Sequence, residues 1–174
     1  MKGLVRLSAL LAAATLFLAL PVSDLSANPT GDPAVQAYIV RGDELASEGN
    51  YGAARGQYKK AVELQREQGV LPEVALRRIA NTYYYQDRYQ AAGATLVSLA
   101  EEAATYGDIG AEVWALADAA WVAGIEGNKQ VMERHLAKVD KLLSSPYLPA
   151  EIKAKVRTTR MTAIETSQRY AVTP

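Results

Sequence analysis

Arg77 and Asn81 stand four residues apart, so on a helix a guanidinium and a carboxamide share one face, one turn from each other. A guanidinium supplies charge-assisted hydrogen bonds and an amide neutral ones, and together they can hold a carboxylate. Trp114 and Trp121 lie seven residues apart with Asp118 between them, again on one helical face. Large aromatics so placed either anchor a partner or pack beneath the next helix, and both readings stay open at this level. The sole histidine, His135, sits between Arg134 and Leu136 with no second histidine beside it, which makes it structural rather than catalytic. Glu101, Glu102 and Asp140 read as solvated helix faces, because side chains adjacent in sequence point apart. No Gly-rich phosphate loop, HExxH or GxSxG occurs. The chemistry on offer is that of recognition: no enzyme is expected, with no catalytic residue, no cofactor and no metal site.

The bulk composition narrows the setting. The 174 residues carry 19 basic and 19 acidic side chains, and removing Lys2, Arg6 and Asp24 with residues 1–27 leaves 17 and 18. A balance that close excludes a broad basic surface for nucleic acid or anionic lipid. Cysteine is absent, which removes disulfides, thiol catalysis and thiolate metal sites together. The start of the chain has Lys2 and Arg6 followed by an apolar run from Ala9 to Leu20, closed by Pro21. That run is shorter than the roughly 20 residues of a membrane span and reads as a secretory signal peptide over 1–27, cleaved after Ala27. The rival is an uncleaved anchor. Cleavage would place the mature protein in the periplasm or outside the cell, with no membrane span remaining.

After a linker of turn formers at 28–33 (NPTGDP), the periodicity becomes helical throughout. Helices are expected near 33–48, 51–67, 72–86, 88–105, 109–125, 128–144 and 148–168. Breaks fall at Gly49-Asn50, Gly69, Asp87, Gly107, Gly127-Asn128 and Ser144-Ser145-Pro146. One register recurs. Tyr38, Gly42, Leu45, Gly49, Tyr51, Ala54, Tyr58 and Ala61 are matched 38 residues later by Leu76, Ala80, Tyr83, Asp87, Tyr89, Ala92, Leu96 and Leu99. A further 40 residues on come Leu116, Ala120, Ala123, Gly127, Lys129, Met132, Leu136 and Val139. Small residues beside large ones at steps of three and four suit helices that approach closely, and one hairpin cannot bury such a stripe alone.

These residues resemble the tetratricopeptide repeat, a helix-turn-helix unit of about 34 residues. The first copy carries the pattern best. The third departs from it at Lys129, where an aromatic is usual, and at Met132, where a small residue is usual. The proline that closes a unit is replaced by Arg66 and Ala104. The resemblance implies an all-α domain over 34–170, a right-handed superhelical solenoid of three hairpins ended by a capping helix. The cap would carry Ile152, Val156, Met161 and Ile164 on its packing side. It also implies that the first helix of each pair lines a concave groove, so that residues off the packing stripe become candidate contacts. These are Gln36, Ile39, Asp43 and Ser47 in the first copy, Val74, Arg77, Asn81, Tyr84 and Tyr85 in the second, and Trp114, Ala117, Asp118 and Trp121 in the third. Some members of the family clamp a terminal carboxylate with a basic residue and an asparagine, and Arg77 with Asn81 matches half of such a clamp.

The reading is therefore an exported interaction module, a scaffold or adaptor binding a peptide or helical segment of a cell-envelope partner through Arg77, Asn81, Tyr84, Trp114 and Trp121. Alternatives are a helical carrier of a small ligand and a minor envelope enzyme. An open aromatic groove marks the adaptor, a closed apolar cavity the carrier, and a closed pocket with clustered ionisable groups the enzyme. The leader makes a direct prediction: protein purified from the cell envelope starts at Asn28. N-terminal sequencing checks this, and an intact Met1 in the membrane fraction contradicts it.

Overall fold

A computed structural model of the protein describes residues 31–171. The expected signal peptide and residues 28–30 of the expected linker lie outside the described residues. Seven helices follow in order: α1 (Pro33–Ser47), α2 (Tyr51–Glu67), α3 (Glu73–Tyr84), α4 (Tyr89–Tyr106), α5 (Ile109–Glu126), α6 (Lys129–Leu143) and α7 (Ala150–Ala171). Among the described residues there is no strand, and the class is all-α.

The helices end where the turn chemistry demands. At Gly107 the backbone reaches φ 71°, a left-handed geometry that closes α4, and Asp108 then caps α5 by accepting from the Ala111 N–H at 2.9 Å. The same Gly-Asx device opens α2, where Asn50 accepts from Ala53 N–H, and α6, where Asn128 accepts from Val131 N–H. Between α3 and α4 the left-handed place falls to Asp87, at φ 56°.

Consecutive helices pack on each other from α2 to α6, and α7 returns to lie on α5, with much less contact to α6. The stripe residues form the contacts. Ala54, Tyr58, Ala61, Leu76, Ala80, Ala92, Leu96, Leu99, Leu116, Ala120, Met132, Leu136 and Val139 are all buried. α1 seats on α2 through Gly42, which lies directly under the Tyr58 ring. The Tyr58 hydroxyl donates to Asp43 Oδ1 at 2.7 Å, and burial, with that hydrogen bond, raises its pKa above the ordinary phenol value.

Charged contacts tie alternate helices side by side. Asp43 on α1 meets Arg78 on α3 at 3.0 Å, and Arg77 on α3 meets Asp118 on α5. Arg66 on α2 makes a two-pronged pair with Glu102 on α4 at 2.9 and 2.7 Å. Helices α1, α3 and α5 are thus linked in one row, and α2 with α4 in another.

One packing expectation is corrected. Met161 is 58% exposed. The side of α7 that packs on α5 carries Val156, Ala163 and Ser167, seven and four residues apart, because Gly124 of α5 admits the α7 backbone itself: a Cβ there would sit 3.0 Å from Ala163 O. Lys129, at the place held by Tyr51 and Tyr89 in the earlier copies, is exposed and meets Glu133 at 3.7 Å.

Gly42 and Gly56 separate close packing from helix propensity. A Cβ at Gly42 would lie 2.3 Å from Tyr58 Cε1, a ring held by its own burial and by Asp43, whereas a Cβ at Gly56 meets nothing within 4 Å. Gly42→Ala should lower stability by about 1–3 kcal/mol by overpacking, and Gly56→Ala should raise it by about 0.5–1 kcal/mol through backbone entropy alone. Urea denaturation of both variants checks the signs; equal shifts in one direction would contradict the close α1–α2 approach.

Candidate functional site

The residues singled out by type meet on α3 and α5. Glu73, Arg77, Asn81 and Tyr84 follow at steps of four, four and three along α3, while Trp114, Asp118 and Trp121 follow at four and three along α5. The rungs match. The Arg77 guanidinium lies over the Trp114 ring, 4.3 Å from its centroid, and donates through Nη1 to Asp118 Oδ2. Its Nε donates to Glu73 Oε1 at 2.8 Å. Further along, the Tyr84 and Trp121 rings lie 5.3 Å apart.

Arg77 is therefore occupied by its own chain. Two carboxylates share one guanidinium, and only Nη2 lacks a partner among the described residues. The half-clamp for a peptide carboxylate meets this obstacle directly, since a ligand would compete with Asp118 for a buried hydrogen bond. Asn81 is half-buried, with its Oδ1 out of hydrogen-bond reach of any described group.

Asp118 is enclosed. Burial pushes its carboxyl pKa up to about 6, Arg77 opposes that through charge and hydrogen bond, and the nearby Glu73 charge adds to the rise. The direction follows from desolvation of a group inside α5, with the neutralising charge of Arg77 divided between two acids.

Exposure sorts the sequence candidates. Arg77, Tyr84 and Trp121 are buried, Trp121 to 2%, so the exposed aromatic area that motivated their selection is covered by neighbouring helices. Trp114 and Asn81 are partly exposed. In the first copy Ile39 is buried, Asp43 is engaged by Tyr58 and Arg78, and Ser47 donates to Glu44 O at 2.7 Å. Ala117 is buried, while Val74 and Tyr85 are exposed.

Of the predicted five, Trp114 lines an open cleft. This cleft has a volume of about 510 Å³ and is lined by Glu73, Tyr106, Asp108, Ile109, Trp114 and Ile152, with the backbone of the α4–α5 turn and Pro149. Lys155 of α7 places its Nζ over the Trp114 ring, 5.4 Å from the centroid. The apolar lining comes from helix ends: Tyr106 closes α4, Ile109 opens α5 and Ile152 belongs to the first turn of α7. Tyr106 and Ile109 escaped notice because they flank a break, outside the helical register; two large apolar residues bracketing Gly107-Asp108 were the available signal. Of the two readings open for Trp121, burial selects packing beneath a neighbouring helix, in keeping with α5 being apolar on every side.

His135 is half-buried on α6, its pKa lowered by burial and by the Lys138 and Arg134 charges. Among the described residues no three His, Asp or Glu side chains gather as a metal site would require, and no helix is long and apolar enough to cross a membrane.

This is the site of an all-helical chain with a charged and aromatic seam between α3 and α5 and a cleft at one end of it. Comparison of the chain with protein families, with curated proteins and with solved structures finds no match.

The Asp118 environment predicts a pH dependence. An unfolded aspartate titrates near 3.9 and the folded one near 6. Below both values each state holds the proton. As pH rises between them, the unfolded chain gives up its proton while the folded chain keeps it, so stability falls and levels off above the folded value. Asp118→Asn carries a constant penalty from the less compensated Arg77 but lacks this slope. The stability advantage of wild type over Asp118→Asn should therefore shrink by about 2–3 kcal/mol between pH 4 and 7. Denaturant titrations across that range measure it, and a constant difference would mean that Asp118 is ionised throughout.

Proposed function

We propose that the protein is an exported helical-repeat module of the tetratricopeptide kind, whose role is to bind a peptide or helical segment of a cell-envelope partner. The observation that carries this reading is the open cleft beside Trp114, where a partly exposed indole and a 42% exposed Tyr106 stand at the rim of a space of about 510 Å³. Aromatic side chains with a half-wet surface are the usual anchors of protein recognition. A cleft open to solvent fits a peptide segment better than a small ligand, which needs enclosure on most of its surface.

Two further features support the repeat reading. The register of eight residues returns twice, and its small positions within helices, Gly42, Ala54, Ala80, Ala92 and Ala120, are buried. Alternate helices are linked side by side by charged contacts, as a stack of hairpins requires. In this arrangement Trp114 and Tyr106 make the contact, while Arg77, Tyr84 and Trp121 hold the helices beneath it.

A photo-crosslinking residue at Tyr106, introduced in cells that export the protein, should capture a partner that Trp114→Ala captures at least about tenfold less, as the loss of one aromatic anchor entails. Lys141→Ala, an exposed change on α6, should leave capture unchanged. Melting curves establish that Trp114→Ala is folded. Undiminished capture by folded Trp114→Ala would place the partner elsewhere.

A further inference from the structure

At the other end of α3, three elements bring a second constellation together. Arg55 on α2 and Arg88, the residue before α4, both lie over the ring of Tyr83, with guanidinium carbons 4.4 and 4.8 Å from its centroid. Two like charges on one ring repel, and the arrangement is held by the ring's electron-rich face and by the fold.

Neither arginine has an acid partner within 4 Å among the described residues. Arg134 and Arg157 likewise make no ion pair there, but only Arg55 and Arg88 converge on one ring, whereas Arg41, Arg66, Arg77, Arg78 and Arg160 are each paired. Arg55 Nη1 donates to Gln86 Oε1 at 2.6 Å and to Thr82 Oγ1 at 3.2 Å, neutral acceptors that orient the guanidinium without cancelling its charge. The adjacent acid, Asp87, accepts instead from the Tyr89 hydroxyl at 2.6 Å. Beside the pair, Tyr85 is 38% exposed and stacks on Tyr51 with centroids 6.1 Å apart, which gives the charged seat an apolar border.

We infer that Arg55, Tyr83 and Arg88 form a seat for the carboxylate side chains of an acidic peptide segment, with Tyr85 and Tyr51 receiving an apolar residue next to them. Charge complementarity carries the assignment: oriented guanidiniums lacking an internal partner match one or two carboxylates, and binding would relieve their mutual repulsion. A peptide is favoured over a membrane or a nucleic acid because the chain as a whole is balanced, at 19 basic and 19 acidic residues, and offers no extended positive field. This surface is separate from the Trp114 cleft and does not depend on it.

The test uses a fluorescein-labelled Glu-Glu-Phe-Glu-Glu peptide with Lys-Lys-Phe-Lys-Lys as its charge-reversed control, read by fluorescence anisotropy on the full protein. Only the acidic peptide should bind, more weakly as salt screens the charges. Arg55→Gln with Arg88→Gln should weaken binding at least about tenfold, the scale of a lost charge-assisted hydrogen bond. Should the double variant fail to fold, the exposed Arg88→Gln is to show the loss on its own with an unchanged melting curve. Trp114→Ala should bind the acidic peptide as wild type does. The inference is overturned by absence of saturable binding, by equal binding of a folded arginine variant, or by loss of binding in Trp114→Ala, which would put the peptide in the cleft. Preferential binding to phosphatidylglycerol vesicles, or full displacement by inorganic phosphate at equal concentration, would equally overturn the peptide assignment.

Discussion

A helix covered on every side must be built from small residues, and α5 is that helix. It packs against α4, α6 and α7, and its residues from Ala115 to Gly124 are buried without a break. Alanine at 115, 117, 119, 120 and 123 lets three helices close on it at once, and Gly124 admits the α7 backbone and the Met132 sulfur. Such packing tolerates neither a cavity nor an added methylene. Within this wall the large residues have fixed places: Trp121 goes under Tyr84, and Trp114 faces Arg77.

The one charge in that wall explains the seam. Asp118 cannot sit inside α5 without a donor, and Arg77 supplies it from α3. Breaking either partner leaves a buried charge uncompensated, a larger loss than the net gain the pair brings. The consequence is geometric. Arg77 holds α3 in one register against α5, because a slip of a turn would strand both groups. The exposed bidentate pair of Asp140 with Arg160, at 2.7 and 3.0 Å, performs a similar alignment between α6 and α7 at little energetic weight.

Much of this was legible in the sequence. The breaks at Gly49, Gly107 and Gly127 each precede an Asn or Asp, and that pair of residues both ends one helix and caps the next. The small-and-large stripe announced which faces would be buried. What escaped notice were faces buried by helices distant in sequence. Residues off the stripe on α3 and α5 had the pattern of a free surface, and Tyr84 and Trp121 were assigned there, because nothing local records that these two helices lie side by side. Met161 was assigned to the core side of α7 by the same local reasoning, whereas the backbone approach at Gly124 turns Ala163 and Ser167 inward. The cleft itself lies among helix ends, where periodicity has no force.

Helix ends also decide the electrostatics there. The first turns of α3, α5 and α7 carry Glu73, Glu112 and Glu151, and Asp108 caps α5. Each acid is set against the positive end of its helix, and Glu73 is further neutralised by Arg77. Two acids line the cleft, each set at a helix N-terminus, and the rest of its side-chain lining, Tyr106, Ile109, Trp114 and Ile152, is largely apolar. At the far end of α3 the balance is reversed, with two arginines about Tyr83 that pair with no acid among the described residues. Glu73 and Tyr83 lie ten residues apart on one helix, a separation of about 15 Å. That exceeds the range over which side-chain changes couple strongly in energy. One helix thus borders two surfaces of different chemistry, the cleft that Glu73 lines at its start and the pair of arginines over Tyr83 near its end.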